Sequence, residues 1–218
     1  MTAALTPATP GRSVLNSVVY QDATALAAAL PELGAAYEAA GVRAWTVWVP
    51  AGDRETASLL ELAGHRPDAA PTAMAAELDS LPDFRLHEPR WSGEWDLETA
   101  WRINDRAYGD PEGTWSAALA GLPQGAGGHL YLARVDDEPA AFVLMHDHGD
   151  DTDFWFAATV PEARGRGLVS GLLRRALLDA RGRGCRTSTT QATAMGRPIY
   201  ARLGFRDLGL LEMWERRR

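Results

Sequence analysis

The run Val160-Pro161-Glu162-Ala163-Arg164-Gly165-Arg166-Gly167-Leu168-Val169-Ser170-Gly171-Leu172-Leu173 constrains this chain more than any other stretch. An apolar segment, Phe154 to Val160, leads into it, and a long amphipathic segment leaves it. A strand that ends in a Gly/Arg-rich turn and opens a helix is a place to hold phosphate. The unbonded N–H groups of the first helical turn point at the anion, and the helix dipole favours negative charge there. Glycines let the backbone come close, and arginines add charge-assisted hydrogen bonds. No Gly-Lys-Ser/Thr follows, so the turn is not a nucleoside-triphosphate P-loop, and it lacks the Gly-x-Gly-x-x-Gly of a dinucleotide site. A plain Gly-rich strand–helix connection has the same local look, so the rest of the chain must identify the ligand.

With 218 residues, the chain suits one large or two small domains. Apolar residues at 46% suffice for a full core, and charged residues at 23% are ordinary for a globular protein. All 22 basic side chains are arginine, which together with the Ala- and Gly-rich usage reads as GC-rich coding bias. A net charge of −7 argues against nucleic acid as a main partner, because phosphate backbones select basic surfaces. The single cysteine, Cys185, excludes an intrachain disulfide and fits a reducing compartment. No apolar run approaches the roughly 20 residues of a membrane span, and Met1 to Pro10 lacks the cationic start and apolar stretch of a secretory signal. The expectation is a cytoplasmic protein.

Residues 1–16 read as a polar lead ordered only at its end. Thr24 to Ala40 has helical spacing with Gly41 as its stop, and Pro31 is expected to split it in two. Ala44 to Val49 is a strand ended by Pro50; Arg54 to Ala63 is a helix offering Leu59, Leu60 and Leu62 for burial, stopped at Gly64. Ala73 to Leu78 is a further strand, and Asp79 to Asp83 reads as a linker. A second part begins at about Phe84, with Arg85-Leu86-His87 as a short strand. Helices follow at Leu97 to Tyr108 and Trp115 to Ala120, then a Gly/Pro loop, Gly121 to Gly128. His129 to Arg134 and Ala140 to His146 form a hairpin, and an acidic turn leads to the strand Asp153 to Val160. The helix after the turn is signalled strongly: Leu168, Val169, Leu172, Leu173, Ala176, Leu177 and Ala180 share one stripe, ended at Gly182 and Gly184. Cys185 to Thr190 is a strand, Arg197 to Leu203 a short helix, and Phe205 to Trp214 a last strand or bent pair.

An internal repeat runs through this order. Helix, Gly41, strand, helix, Leu62-Ala63-Gly64-His65-Arg66, strand parallels helix, Gly184, strand, helix, Leu203-Gly204-Phe205-Arg206, strand. The first copy has no Arg/Gly-rich turn, so residues 1–80 read as a degenerate half-copy that keeps packing without the ligand loop.

The Arg164 to Gly167 turn stands about 35 residues ahead of Ile199-Tyr200-Ala201-Arg202-Leu203-Gly204-Phe205. This pairing resembles the GNAT superfamily of N-acetyltransferases, whose acetyl-CoA motif runs Arg/Gln-x-x-Gly-x-Gly/Ala and whose later Tyr-x-x-x-Gly-Phe closes the site. The match covers roughly residues 84–218, and Gln191-Ala192-Thr193 with Gly196-Arg197-Pro198 looks like the family's approach to the tyrosine. One departure is Val169, placed where the family prefers Gly or Ala. The resemblance implies an α/β fold, a mixed sheet whose fourth and fifth strands splay apart to admit the pantetheine arm, preceded by a partial GNAT-like repeat. It divides the chain into 1–80, non-catalytic, and 84–218, catalytic. Leu60 falls where Tyr200 lies in the repeat, so the first copy lacks the hydroxyl as well.

Carried over by position, backbone N–H groups at about Ala158, Thr159 and Val160 polarise the thioester carbonyl, and Arg164, Gly165, Arg166, Gly167, Leu168, Val169 and Ser170 hold the pyrophosphate. Tyr200 matches the general acid; a phenol of pKa about 10 can protonate a thiolate whose thiol titrates near about 8.5. The general base is not fixed. Asp153 lies seven residues before Val160, roughly 23 Å from the phosphate end at about 3.3 Å per residue, and His146 is as remote. Asp105 and Tyr108 are further candidates. The cluster His146, Asp147, His148, Asp150, Asp151, Asp153 has metal-binding residue types but fits no ligand template and reads as a solvated hairpin tip. Trp91, Trp95, Trp101 and Trp115 crowd half the eight tryptophans together, which reads as core anchoring before it reads as an acceptor pocket. Cys185 reads as a buried structural thiol.

The resulting expectation is an acetyl-CoA-dependent N-acetyltransferase acting by direct transfer on a primary amine of a small molecule. It needs no metal, no nucleic acid and no membrane, and works as a monomer or homodimer. A peptide or protein amine is the enzymatic alternative, and a non-catalytic acyl-CoA-binding sensor is the alternative from another class.

Overall fold

The computed structural model describes residues 1–83, 88–120 and 127–218. Two compact units divide the chain: Met1–Thr72 with Gly209–Arg218, and Ala73–Leu208. These do not follow the 1–80 and 84–218 division expected from sequence. Asp79 to Asp83 was to be a linker, yet Leu78–Ser80 forms a 3-10 turn, Leu78 is fully buried, and its N–H donates to the Arg186 carbonyl at 2.8 Å. The expected strand at residues 85–87 and most of the 121–128 loop lie outside the described residues.

The first unit opens with β1 (Thr2–Ala3) and β2 (Ser17–Val19), followed by α1 (Ala23–Ala39), β3 (Ala44–Pro50), α2 (Arg54–Leu62) and β4 (Arg66–Pro67). Its residues 1–16 are not a loose lead. β1 pairs antiparallel with β2, and the fully buried Asn16 side chain accepts from the Thr6 N–H at 2.7 Å and donates to the Thr9 and Arg12 carbonyls. Asp22 caps α1 by accepting from the N–H groups of Thr24 and Ala25. Pro31 does not split that helix; it sits inside one continuous run. β2 pairs parallel with β3, and residues Leu211 to Arg217 of the last strand pair antiparallel with β3 and flank β4 on their other side. All six residues Ala44 to Val49 are buried, as suits a strand covered on both faces. The core gathers Leu26, Leu30 and Tyr37 of α1, Leu60 of α2, Trp45, Val47 and Val49 of β3, and Trp214. Leu60 is fully buried but Leu62 is 90% exposed, because a nine-residue helix turns only one face inward.

His65 closes this core. It is fully buried, meets Trp45 edge-on at 4.6 Å, and neither ring nitrogen has a hydrogen-bond partner among the described residues. Burial, reinforced by the Arg216 charge, pushes its pKa down to about 4. The folded state therefore keeps His65 neutral while an unfolded histidine takes up a proton near pH 6.5. Stability is full above about pH 6.5 and falls as pH drops toward about 4, by roughly 3 kcal/mol at 1.36 kcal/mol per unit. Urea unfolding followed from pH 7 to pH 4 should show this loss, and His65→Leu should flatten it; an equal slope in both proteins removes His65 as the cause.

The second unit holds β5 (Thr72–Glu77), β6 (Trp91–Ser92), α3 (Leu97–Tyr108), α4 (Thr114–Leu119), β7 (Gly128–Val135), β8 (Glu138–His148), β9 (Asp151–Thr159), α5 (Leu168–Arg183), β10 (Thr187–Ala192), α6 (Arg197–Arg202) and the start of β11 (Arg206–Arg217). Its strands lie in the order β5-β10-β9-β8-β7-β6. β6 through β9 are antiparallel, and β9 to β10 is parallel, so the sheet is mixed, as expected. The β7–β8 turn is made by Asp136 and Asp137 at φ 50° and 64°, a left-handed pair suited to a two-residue hairpin. α5 buries Leu168, Leu172, Leu173, Ala176, Leu177 and Ala180, as its stripe predicts, while Val169 stays half-buried. Each fully buried leucine contributes about 1.5–3 kcal/mol of transfer free energy.

Candidate active site

Val160 ends β9 by donating its N–H to the Ala140 carbonyl at 2.9 Å. Pro161–Ala163 then makes a 3-10 turn, and the chain passes Gly165 at φ 77° and Gly167 at φ 75° before entering α5. Both angles lie in the left-handed region where a side chain is strained. α5 makes its first helical bond from Gly171 N–H to the Gly167 carbonyl at 2.9 Å. The N–H groups of Leu168, Val169 and Ser170 precede that bond and have no acceptor within the helix. Arg164, Gly165, Arg166 and Gly167 are all exposed beside them.

Both glycines take positive φ, and Val169, in the place of the motif's last Gly/Ala, is half-buried in the first helical turn. The Glu162 carboxylate, ahead of the turn, forms an ion pair with Arg106 on the last turn of α3. Arg164 reaches the same turn, donating to the Ala107 carbonyl at 2.6 Å. Two ties thus join the glycine turn to the C-terminal end of α3.

On the other side of β9 a gap opens. β9 and β10 pair only from Asp151↔Thr187 to Asp153↔Thr189, although β9 continues to Thr159 and β10 to Ala192. The two strands part beyond that point, as the resemblance implies. Because Val160 donates to β8, the alternation of an antiparallel ladder sends the Ala158 N–H the same way, and those of Thr159 and Ala157 toward the gap. Of Ala158, Thr159 and Val160, only Thr159 keeps an N–H for a ligand in the gap; Ala157 joins it. A β-bulge displaces Trp155, since Leu144 pairs with Phe156 and Met145 with Phe154, and Trp155 stands 60% exposed.

Tyr200 lies at the closed end of the gap. Its ring meets Phe154 edge-on at 4.8 Å and Phe205 at 6.2 Å, and Thr190 Oγ1 donates to the Phe154 carbonyl at 3.3 Å. Gly196 is required beneath it: a Cβ there would stand 2.8–2.9 Å from three atoms of the phenol. Burial, then the neighbouring Tyr108, pushes the Tyr200 pKa up to about 12.

Of the base candidates, Asp105 is used by the fold. Its carboxylate caps α4, accepting from the N–H groups of Trp115 and Ser116 at 3.2 Å each and from the Ser116 hydroxyl. Tyr108 is exposed near Tyr200. Asp153 marks the point where the gap begins, next in sequence to the residue that holds Tyr200, so distance from the phosphate turn was the wrong measure for it. Burial raises its pKa, against a hydrogen bond from the Trp155 indole at 2.5 Å, and its second oxygen is buried without a partner among the described residues. His146 pairs with Asp153 across the ladder and lies 5.9 Å from the Trp155 ring.

The remaining candidates have structural roles. Trp101 is buried against Phe142 and Phe156, and Trp115 packs on Phe156, as core anchoring predicts. In the hairpin cluster, Asp147 accepts from Arg183 at 2.6 and 2.9 Å and from Thr152. Against the upward push of burial, these bonds hold its pKa down at about 2. Asp151 accepts from Thr187 and Thr189. Cys185 is buried, and burial raises its thiol.

A turn that offers unbonded N–H groups, a strand gap that can take an extended arm, and a tyrosine at its closed end define an acyl-CoA-type acyltransferase fold. A family model described as an acetyltransferase (GNAT) domain matches residues 126–207. Mycothiol acetyltransferase of Nocardia farcinica (strain IFM 10152) is 34% identical over 136 residues, 59% of this chain; the chain covers 44% of that relative's length. Among solved structures, a GCN5-related N-acetyltransferase from Kribbella flavida superposes with a TM-score of 0.68 at 20% identity, covering 94% of this chain and 83% of its own. A tandem GNAT protein from the clavulanic acid biosynthesis pathway gives 0.57 at 15% identity, covering 87% and 69%. Both structural likenesses are of fold.

Proposed function

We propose that this protein transfers an acetyl group from acetyl-CoA directly to a primary amine of a small molecule, with Tyr200 as the proton donor. The observation that carries this reading is the gap between β9 and β10, with the glycine turn at one end and Tyr200 at the other. The pyrophosphate would sit on the N–H groups of Leu168, Val169 and Ser170, with Gly165 and Gly167 allowing close approach and Arg166 adding charge. Arg164 would join it by leaving Ala107. The pantetheine arm would run along the free edge of β9, bonding Ala157 and Thr159.

At the closed end, an ammonium acceptor gives up a proton to Asp153, directly or through water, since a carboxylate with a raised pKa binds a proton more readily. The neutral nitrogen forms a C–N bond to the thioester carbonyl. The C–S bond breaks, and the departing thiolate takes the Tyr200 proton. Because the phenol titrates at about 12 and a thiol near about 8.5, complete transfer is uphill by roughly 5 kcal/mol. Tyr200 therefore acts chiefly as a hydrogen-bond donor whose proton moves late.

The first unit reads as a non-catalytic partial copy. Its caps match those of the second unit bond for bond: Val42 N–H to Tyr37 and Cys185 N–H to Ala180 after the first helix, then His65 N–H to Leu60 and Phe205 N–H to Tyr200 after the second. Leu60 thus occupies the place of Tyr200.

A second reading, a non-catalytic acyl-CoA sensor, is favoured by Val169 in the place of the phosphate motif's last Gly/Ala. One assay separates the two: free-thiol release from acetyl-CoA across panels of small amines and peptide N-termini. Acceptor-dependent release with a small amine is the expected result. Tight CoA binding with no release in any panel establishes the sensor instead.

A further inference from the structure

Of the eight tryptophans, Trp155 alone stands exposed, at 60%. An indole offers a large apolar area for burial, so a fold that leaves one in water forgoes stabilisation. The β-bulge causes the placement, since it sets Trp155 between the paired residues Phe154 and Phe156 and turns its ring out of the ladder. Yet the ring is held. Its indole N–H donates to Asp153 Oδ2 at 2.5 Å, and the His146 ring lies 5.9 Å away, tilted by 31°. A flat apolar surface is thus fixed in the open.

The carboxylate at the nitrogen edge of this ring still needs a donor. Asp153 Oδ1 is buried and has no partner among the described residues, and an unmet buried carboxylate oxygen is costly. Phe154, between Asp153 and Trp155 in sequence, packs against Tyr200, so carboxylate and ring flank the closed end of the gap. An ammonium answers the carboxylate, and a flat apolar group covers the ring. The hydrogen bond ties the two demands together. Because the indole N–H points at Asp153, the rest of the ring extends away from the carboxylate. A ligand that answers both carries its amine on a short alkyl link from a flat group.

We propose that Trp155 selects the acceptor, and that the acceptor is an arylalkylamine, its aromatic ring on the open face of Trp155 and its nitrogen at Asp153. The assignment rests on the acetyl-CoA reading and adds to it the class of amine. Two aromatic rings attract through their quadrupoles in offset or edge-on contact, beyond the area they bury. A saturated ring of the same size covers the indole without that extra attraction. Preference for the aromatic amine over its saturated counterpart therefore follows from Trp155. The ring adds its contribution only when the acceptor is bound, so the acceptor KM carries the effect and CoA affinity does not.

The test is thiol release from acetyl-CoA by the full chain, with phenethylamine, cyclohexylethylamine and hexylamine as acceptors. The unaltered protein should use phenethylamine about tenfold better in kcat/KM than cyclohexylethylamine, most of it in KM. Trp155→Leu should bring the two amines within about twofold by raising the phenethylamine KM. Calorimetric titration of that variant with CoA should give an unchanged affinity, which also shows that it is folded. Trp155→Phe loses the bond to Asp153 but restores a ring, so most of the aromatic preference should return. Equal use of the amines by the unaltered protein, a preference that survives Trp155→Leu, or release only with peptide N-termini overturns the role of Trp155 and leaves acetyl transfer standing. Release with no amine of any kind overturns the acetyl-transfer reading with it.

Discussion

Replacing Tyr200 with phenylalanine lowers kcat about a hundredfold and leaves CoA affinity within about twofold of the unaltered protein. The size follows from what the hydroxyl can do. A phenol that titrates at about 12 does not hand over its proton early, so its contribution is that of one donor aimed at developing charge on sulfur. Such donors supply about 2.7–4 kcal/mol in a site shielded from water. The packing against Phe154 and Phe205 survives the change, since only the oxygen is lost. Gly196→Ala should give a related defect with the hydroxyl intact, because its Cβ forces the ring off its seat. The pH profile adds an independent reading: a raised Asp153 puts the acidic limb of kcat above the usual range for an aspartate, and Tyr200 adds no alkaline limb below about pH 11. Initial rates of thiol release from pH 4 to pH 10 check all of this; an unchanged kcat for Tyr200→Phe excludes the residue from the chemistry.

The second large effect belongs to the turn. Gly165→Ala together with Gly167→Ala should weaken CoA binding by more than a hundredfold while shifting the thermal midpoint by only a few degrees. Each alanine in the left-handed region costs about 1–2 kcal/mol, and no neighbouring atom lies within 4 Å of either new Cβ. The strain is therefore one of backbone alone. The turn relieves it by rotating away from positive φ, which swings the N–H groups off the phosphate. Calorimetric titration with CoA and a melting curve measure the two quantities. A CoA affinity within threefold of the unaltered protein places the phosphate elsewhere.

Both features could be read in the sequence because each is local. A turn that needs positive φ twice shows its glycines, and a helix with one buried stripe shows its leucines. The tyrosine followed by Gly204-Phe205 is equally compact. What escaped was assembled from a distance. Asp105 looked like a free base, but the cap that occupies it comes from residues ten and eleven positions later. Asp153 looked remote when measured from the phosphate turn, and only the end of β9–β10 pairing showed that the gap starts beside it. Pro31 promised two helices, and His65 gave no sign of being buried against the Trp45 ring.

The two ties between α3 and the glycine turn carry a thermodynamic obligation. Arg164 on the Ala107 carbonyl and Arg106 on Glu162 link one surface of the turn to the helix whose last residue, Tyr108, neighbours Tyr200. A cofactor that draws Arg164 onto its phosphates must break the first tie, and its affinity is reduced by whatever that tie is worth. Reciprocity then requires that an acceptor which shifts the end of α3 change the affinity for CoA by the same factor as CoA changes the affinity for the acceptor. On the acetyl-CoA reading, donor and acceptor would be coupled through the end of α3 as well as by their contact at the thioester.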